Sequence, residues 1–254
     1  MKIGIMGAMP EEIAGILAGI SDLSTQTVGG REYSSGHWHG VEVVAVFSRC
    51  GKVSSAATAA TLLDRFAVDG IVFIGLAGAA HPDLRVGDVV IATELIQHDM
   101  DASGLPIFEK FEIPLLGVKR FPAHPQWVAA ASAEAERYLR KEFFDEVDAD
   151  LRREFRLDQP KLHTGLIASG DQFINDAAVI ARLRAELPDL LAIEMEGAAV
   201  AQVCYEFGKP IAVVRVISDA ADHAAAADFP KFLRAVATPT TVGIAARVVK
   251  ALAA

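Results

Sequence analysis

The sequence predicts an α/β fold with a mainly parallel sheet that helices cover on both faces. Two observations lead to this class. Short apolar runs rich in Val and Ile alternate along the chain with Ala-rich stretches of helical character. The apolar runs are also continuous, without regular alternation with polar residues, which is typical of strands buried on both faces of a parallel sheet.

The strands are predicted from the apolar runs and the helices from the stretches between them. Residues 2–6 form the first strand, and Pro10 opens a helix because proline suits the first helical position. The other predicted strands are 41–47, 71–74, 89–96, 163–168 and 211–217. The other predicted helices are 54–66, 177–187, 196–207 and 230–253, the last with an interruption near Pro239.

The chain length and composition fit one large domain or two small ones. It has 254 residues, of which 52% are hydrophobic and 22% charged. Since it contains no repeat, low-complexity segment or linker, we expect a single domain over residues 1–254. Residues 102–161 are the least regular part, with several prolines before a charged amphipathic helix, and we interpret them as a variable loop plus a peripheral helix.

Charge and cysteine content limit the partners and the compartment. The formal net charge is −9, whereas a nucleic-acid partner requires clustered Lys and Arg. Cys50 and Cys204 are too few for a disulfide framework. The N-terminus lacks the apolar region of a signal peptide, and the longest apolar run, 71–80, is too short to span a bilayer. We therefore expect a cytoplasmic protein that binds neither nucleic acid nor membrane.

Polar and glycine-containing motifs follow the predicted strands where each strand ends. They lie at residues 75–78, 169–171, 194–196 and 218–219. Ligands of open α/β sheets bind beyond the carboxyl ends of the strands. The sequence therefore predicts a ligand site built from these motifs.

The carboxylates of Glu194 and Glu196 lie one residue apart at the end of an apolar run. On a strand they would share a face, but if the strand ends at Ile193 they lie in the turn that opens the next helix. Buried acids need hydrogen-bond donors, which the hydroxyl groups of a sugar would supply. Alternatively, the pair only complements the dipole at a helix N-terminus.

Three further charged residues are candidates for chemistry. Glu12 lies in the first turn of a helix, where it either complements the dipole, as Glu11 would, or acts as a general base. Asp219 ends a buried strand, where partial burial would favour its protonated form, although a strand-end Asp also caps helices. Arg215 lies within that strand and needs an acidic partner, either Glu12 or one of the two carboxylates above.

Metal and cofactor motifs are absent from the sequence. The histidines show neither HExxH nor paired-Cys spacing, and His98 with Asp99 and Asp101 is more typical of a surface loop. The glycines at 4–7 and 75–78 match neither a dinucleotide fingerprint nor a P-loop, and no GxSxG elbow occurs. We therefore predict no metal and no cofactor.

Five motifs occur in a fixed order along the chain. They are GAMPEE at 7–12, GLAG at 75–78, ASGDQFI at 168–174, IEMEG at 193–197 and VRVISD at 214–219. Each is weak alone, but together the chain resembles the bacterial 5'-methylthioadenosine/S-adenosylhomocysteine nucleosidases of the purine nucleoside phosphorylase superfamily. The similarity covers nearly the whole chain except about 104–161.

The resemblance implies a nucleoside phosphorylase-like fold, three layers of α/β/α around a mixed, partly barrel-like sheet, and a homodimer. It implies hydrolysis of the N-glycosidic bond of an adenine nucleoside thioether, with release of adenine and a thio-substituted ribose. Glycosidic cleavage passes through an oxocarbenium-like state, which needs a base at the water and an acid at the leaving group.

The resemblance also assigns roles to residues. Glu12 would activate the water, oriented by Arg215, while Asp219, held by Ser218, would protonate adenine N7. Glu196 would take the ribose hydroxyls. The remaining binding residues it implies are Met195, Ala77 and Gly78 against the sugar, Phe173 and Ile174 at the adenine, and Phe229 over the thio substituent.

The chain departs from the family pattern at three places. Leu76 replaces a Ser that in many members helps to hold the attacking water. Positioning of the water would therefore rest on Glu12 and Arg215. Arg49 and Cys50 replace apolar residues, and Arg49 raises the question of phosphorolysis. The loop 99–111 is longer than usual and would contribute Leu105 or Phe108 to the partner's site.

Three alternatives remain at this point. A phosphate-dependent nucleoside phosphorylase would need arginines around its phosphate, and residues 7–10 lack the Asp-Pro-x-Arg type of opening. A nucleosidase acting mainly on aminodeoxyfutalosine would share the adenine and ribose contacts. A non-catalytic nucleoside-binding protein would be expected to have lost Glu12 or Asp219, and this chain has both.

Overall fold

The apolar runs form the strands of one mixed sheet. The computed structural model describes residues 1–219 and 229–254, and at Phe229 the backbone alone. The strands are β1 (Lys2–Gly7), β2 (Ser21–Val28), β3 (Arg31–Trp38), β4 (Val41–Phe47), β5 (Gly70–Ala79), β6 (Val89–Gln97), β7 (Arg120–Pro122), β8 (Leu162–Ser169), β9 (Leu190–Glu194) and β10 (Ile211–Asp219).

Helices occupy most of the connections between these strands. They are α1 (Pro10–Leu17), α2 (Lys52–Asp64), α3 (Pro125–Lys141), α4 (Phe143–Glu146), α5 (Ala149–Glu154), α6 (Ala177–Glu186), α7 (Gly197–Glu206), α8 (Phe229–Phe232) and α9 (Thr238–Ala253), with a π-helical turn over Leu233–Ala237 before α9. Pro10 takes the first turn of α1, as the sequence predicts.

Part of the sheet closes on itself. β5 pairs in parallel with β10, β10 pairs antiparallel with β6, and β6, β8 and β9 follow in parallel. β9 then pairs antiparallel with β5 through Gly78 and Ile193, so five strands form a ring. From β5 the sheet continues through β1 and β4 to the β3–β2 hairpin. The sheet is therefore mixed and partly barrel-like.

Helices pack on both faces of this sheet. Successive residues of β5 point to opposite faces, so Val72 belongs to one core and Phe73 to the other. The first core includes Ile13 of α1 and Trp127 of α3, and the second includes Leu62 of α2. This arrangement confirms the predicted three-layer α/β/α fold.

The fold differs from the sequence prediction in three strands and in one helix. Strands β2, β3 and β7 were not predicted: β2 is a polar edge strand whose residues are mostly exposed, and β7 has only three residues. Helix α3 is not peripheral: Trp127, Ala131 and Tyr138 lie in the main core, against α9 and the sheet. Its apolar stripe is easily missed because the surrounding segment carries many charges of both signs.

The final helical segment is interrupted as predicted. The π-helical turn ends directly before α9, and Pro239 lies in the first turn of α9. A proline at this place lacks the N–H that an unbroken helix would need. The segment Pro230–Ala253 has the length and mean hydropathy, 1.2, of a membrane span, but 56% of its tested window is buried in the protein, as in a core helix.

The contact between α3 and the sheet predicts the effect of a substitution at Gly70. A Cβ there would lie 2.5 Å from Trp127 Cη2 and 2.7 Å from the carbonyl oxygen of Pro210. Because backbone cannot move aside easily, Gly70→Ala is expected to lower the free energy of unfolding by about 1–3 kcal/mol in urea titrations. Gly104→Ala is the control, since a Cβ there meets no atom within 4 Å. Equal stability of the two variants would contradict this packing.

Candidate active site

The carboxyl ends of several strands surround one cavity of about 270 Å³. β1 and β5 run toward the cavity in parallel. β9 runs in the opposite direction, and its carboxyl end pairs with that of β5 through Ile193 and Gly78. The residues that line it are Ala8, Met9, Glu12, Cys50, Leu76, Ala77, Gly78, Gln172, Phe173, Ile174, Ile193, Glu194, Met195, Glu196, Ser218 and Asp219. The motifs at the predicted strand ends therefore meet in one place.

Most of the predicted site residues line this cavity. Arg215 lies behind the wall, and the side chain of Phe229 lies outside the described residues. Sequence reasoning gave no role at the cavity to Ala8, Met9, Gln172 or Ile193, although each lies within or beside one of the five motifs.

Glu12 is buried and held by backbone donors. Its Oε2 accepts the N–H groups of Ala8 at 2.6 Å and Met9 at 2.9 Å, and the N–H of Leu76 also binds the carboxylate. The two interpretations of Glu12 are therefore compatible, because it satisfies the amides that lead into α1 and also faces the cavity. Burial raises the pKa of Glu12, although the charge of Arg215 and the backbone donors oppose the shift.

Gly75 allows this approach of Glu12 to β5. A Cβ at Gly75 would lie 2.9 Å from Glu12 Oε1 and 3.4 Å from Arg215 Nη1. Any larger residue would therefore push the carboxylate out of place. The glycine is needed for the position of a charged group and not for a turn, since it lies within the strand.

A β-bulge turns two consecutive residues toward the cavity. The pairing of β10 with β5 shifts between Ile217 and Asp219, and both Ser218 and Asp219 line the cavity. In a regular strand, neighbours point to opposite faces, so the bulge is what brings both side chains to one side. Ser218 Oγ lies 2.7 Å from Asp219 Oδ2 and donates to it.

Glu194 and Glu196 have separate environments. β9 ends at Glu194, and Glu196 lies in the turn before α7. Both Glu194 oxygens accept the N–H of Gly197, at 2.9 and 2.8 Å, and Oε2 pairs with Arg215 Nη2 at 2.7 Å. The hydroxyl of Ser169 also donates to Glu194. Glu194 therefore holds the start of α7 and neutralises Arg215.

Glu196 faces the cavity and has fewer donors. Its Oε1 accepts the N–H of Gly51 at 2.7 Å. Burial and the nearby charge of Glu194 raise the pKa of Glu196 to about 8, against the opposing effects of the Gly51 N–H and Arg215. A ligand that donates hydrogen bonds to Glu196 would stabilise its buried carboxylate.

Arg215 is a buried support for the site. Its guanidinium is 1% exposed, pairs with Glu194, donates to the carbonyl of Phe73 and lies 4.2 Å from the Phe73 ring centre. Of the acids that the sequence offered as partners, the ion pair is thus with Glu194. Its influence on Glu12 is electrostatic, and the predicted contact with the attacking water stays a prediction.

The other end of the cavity is apolar and open. Phe173 is 65% exposed and lines the cavity together with Ile174. An exposed aromatic ring at a cavity mouth can stack on a flat heterocycle. The side chain of Leu76 adds apolar surface, although its backbone N–H serves Glu12.

Arg49 and Cys50, which depart from the family pattern on the β4–α2 loop, lie in different environments. Arg49 is exposed and donates to the carbonyl of Gly30 at 2.8 Å, away from the cavity wall. Cys50 lines the cavity, but burial and the charges of Glu196 and Glu12 raise the pKa of its thiol. The reactive thiolate form of Cys50 is thereby disfavoured.

Comparison with known proteins agrees with this fold. Residues 2–250 match the model of the family described as the Phosphorylase superfamily, the class that the partly closed sheet and its cavity define. The chain is 37% identical over 243 residues to the 5'-methylthioadenosine/S-adenosylhomocysteine nucleosidase of Marinomonas sp. (strain MWYL1), covering 95% of this chain and 96% of the relative.

Solved structures give the same result. The 5'-methylthioadenosine/S-adenosylhomocysteine nucleosidase of S. pneumoniae, bound to the transition-state inhibitor MT-ImmA, has a TM-score of 0.82 at 34% identity, covering 99% of this chain and 100% of that one. The futalosine hydrolase of Helicobacter pylori strain 26695 has a TM-score of 0.83 at 33% identity, covering 98% and 97%. The chain therefore belongs to the 5'-methylthioadenosine/S-adenosylhomocysteine nucleosidase family of this superfamily.

The buried ion pair predicts a large stability effect. Arg215→Met leaves Glu194 buried without its cation, so the free energy of unfolding should fall by about 3–5 kcal/mol in denaturant titrations. Arg140→Met is the control, because that arginine pairs with Glu136 at the surface, where a pair contributes about 0–1 kcal/mol. Adding Glu194→Gln to Arg215→Met should restore part of the loss. A loss for Arg215→Met no larger than that of the control would contradict this interpretation.

Proposed function

We propose that the protein hydrolyses the N-glycosidic bond of 5'-methylthioadenosine and S-adenosylhomocysteine, releasing adenine and the thio-substituted ribose. The observation that carries the proposal is the presence of Glu12, Glu196 and Asp219 on the wall of one largely apolar cavity. Cleavage of a glycosidic bond needs a base for the water, an acid for the leaving group and negative charge near the developing cation.

Glu12 is the proposed base. Backbone donors on Oε2 hold its carboxylate, and its raised pKa makes it a better proton acceptor than an exposed glutamate. Because the base must be ionised to act, activity should fall as the pH falls through that raised pKa.

Asp219 is the proposed acid. It is 6% exposed, and the bulge of β10 places it on the cavity wall beside Ser218. The Ser218 hydroxyl donates to one carboxyl oxygen of Asp219 and so helps to fix the orientation of the carboxyl group. By resemblance, its target is adenine N7.

Glu196 is the proposed ribose ligand. The hydroxyl groups of a ribose would donate to its carboxylate and replace the solvation that burial removes. The negative charge then lies near the anomeric carbon as positive charge develops there. Met195, Ala77 and Gly78 supply the surface against the sugar.

Water is favoured over phosphate as the nucleophile. None of the described residues that line the cavity is Arg or Lys, and residues 220–228 contain neither in their sequence. A phosphate beside Glu12 and Glu196 would meet like charge without a guanidinium to offset it.

A second candidate substrate is aminodeoxyfutalosine. The H. pylori protein with this fold is named futalosine hydrolase, and its identity to this chain is 33%. Such a nucleoside would use the same adenine and ribose contacts, so the two activities differ in the 5' group alone. The same assay with this substrate ranks the two by kcat/KM.

We also propose that the protein acts as a cytoplasmic homodimer. Exposed apolar side chains support the dimer: Leu105 and Ile107 of the loop 99–111 are 58% and 77% exposed, and the adjacent Phe108 is half-buried. Since exposed apolar groups in a cluster are typical of an interface, this loop is the segment proposed to reach a partner's site. Sedimentation of the purified protein gives the oligomeric state.

Product analysis tests the proposed reaction. Purified protein incubated with 5'-methylthioadenosine is expected to release adenine and free methylthioribose at the same rate with and without phosphate, as chromatography and mass spectrometry would show. A phosphate requirement, with a sugar phosphate as product, would make the protein a phosphorylase. Absence of adenine would contradict the proposal altogether.

Replacement of the base should abolish turnover without unfolding the protein. Glu12→Gln keeps the size of the side chain but cannot take a proton, so kcat should fall by about 10²–10⁴-fold. Glu11→Gln is the matched control, because Glu11 is the adjacent acid and does not line the cavity. Equal kcat values for Glu12→Gln and Glu11→Gln would refute the role of Glu12.

The raised pKa of Glu196 predicts proton release on binding. A carboxyl group with a pKa of about 8 is mostly protonated at pH 7, and donation from ribose hydroxyls favours the ionised form. Asp219→Asn should bind 5'-methylthioadenosine without turnover, and calorimetry in buffers of different ionisation enthalpy should then show release of up to one proton.

Glu196→Gln in the Asp219→Asn background is the control for this measurement. It should bind more weakly and release no proton, because the amide cannot ionise. An unchanged proton count in the double variant would assign the release to another group, and turnover by Asp219→Asn would refute the assignment of the acid.

A further inference from the structure

Lys52 contacts two loops, one through its ammonium group and the other through its backbone N–H. Lys52 Nζ lies 2.6 Å from Asp99 Oδ1 and 3.0 Å from Gln97 Oε1, at the end of β6. The backbone N–H of Lys52 donates to Asp171 Oδ1 at 2.8 Å, in the loop after β8. One residue thus contacts two loops from the start of α2.

These contacts form a closed ring. The N–H of Asp171 donates to Asp99 Oδ2 at 2.9 Å, so Asp99 binds the Lys52 ammonium with one oxygen and the Asp171 backbone with the other. Burial opposes ionisation of Asp99, but the hydrogen bonds from Lys52 and Asp171 outweigh it and lower its pKa. The ring therefore contains the Lys52 ammonium, the carboxylates of Asp99 and Asp171, and the backbone N–H groups of Lys52 and Asp171.

Both sides of the ring continue directly to the proposed nucleoside contacts. Gly51, the residue before Lys52, donates its N–H to Glu196 Oε1 at 2.7 Å. Phe173 follows Asp171 by two residues and lines the cavity. The hydrogen-bonded ring thus joins Gly51, which holds the proposed ribose ligand Glu196, to the loop that carries the aromatic side chain of Phe173.

A second path leads from Lys52 to Glu196. Gln97, which is buried, accepts from Lys52 and donates through Nε2 to Gln202 Oε1 at 2.6 Å. Gln202 lies on α7, the helix that begins directly after Glu196. Removal of the ammonium would loosen both connections at once.

We propose that Lys52 is a positioning residue for nucleoside binding. It fixes the separation between Glu196, the proposed ribose ligand, and the loop after β8 that carries Phe173 at the adenine. The proposal rests on the proposed nucleosidase function and adds a residue that does not line the cavity. Lys52 acts on binding and not on the chemical step, because neither Glu12 nor Asp219 belongs to the ring.

The burial of this ion pair separates it from an ordinary surface pair. The side chains of Lys52 and Asp99 are 16% and 21% exposed, whereas those of Lys2 and Glu42, at the other end of β1 and β4, are 31% and 51% exposed. Exposed pairs are weakened by solvent and salt, so the Lys2 pair supplies a matched control.

Steady-state kinetics and adenine binding test the proposal. Lys52→Met removes the charge but keeps the backbone N–H and a long, unbranched side chain. We expect KM for 5'-methylthioadenosine and Kd for adenine to rise about tenfold, since small misplacement of binding groups has large effects, while kcat changes by less than about threefold. Lys52→Arg should restore most of the affinity because it keeps the pair with Asp99. Lys2→Met should leave KM, kcat and the adenine Kd unchanged.

Several outcomes would overturn the proposal. They are a KM and an adenine Kd of Lys52→Met within twofold of the wild type, a loss confined to kcat, or equal losses in Lys52→Met and Lys52→Arg. Failure of the proposed function is a different result, because the wild type would then release no adenine from any nucleoside. Adenine affinity is measured without turnover, so it tests the role of Lys52 in either case.

Discussion

The desolvation of four carboxylates at one end of a partly closed sheet is the constraint on which the rest of the site depends. Glu12, Glu194, Glu196 and Asp219 are each less than 8% exposed. Buried charge is costly unless donors surround it. The fold supplies them where strands end and helices begin, because backbone N–H groups there have no partner within a strand or helix.

Glu194 is satisfied inside the protein, whereas Glu12 and Glu196 are not fully compensated for their burial. Glu194 binds Arg215, Ser169 and the first amide of α7, which completes its hydrogen bonding inside the protein. Glu12 and Glu196 have raised pKa values because their donors do not offset burial. This difference explains why one member of the Glu194–Glu196 pair supports the fold while the other faces the cavity.

The strand ends and the motifs on them could be predicted from the sequence, because buried parallel strands have continuous apolar runs. The partners of these residues could not. Whether Arg215 pairs with Glu194 or Glu12 depends on the register of β10 against β5, which the apolar pattern leaves open. The bulge that turns both Ser218 and Asp219 inward has no local signal, and the core role of α3 is hidden by charge on its outer face.

The family relationship and the carboxylate geometry agree on a hydrolase in which burial raises the pKa of Glu12 and of Glu196. The pH dependence of kcat/KM for the wild-type protein tests that claim most directly, since it reports the ionisation of the free enzyme. We expect activity to be lost on acidification well above the usual glutamate pKa of about 4.3. Full activity down to that pH would show that Glu12 and Glu196 behave as exposed carboxylates, and it would refute the effect of burial on them.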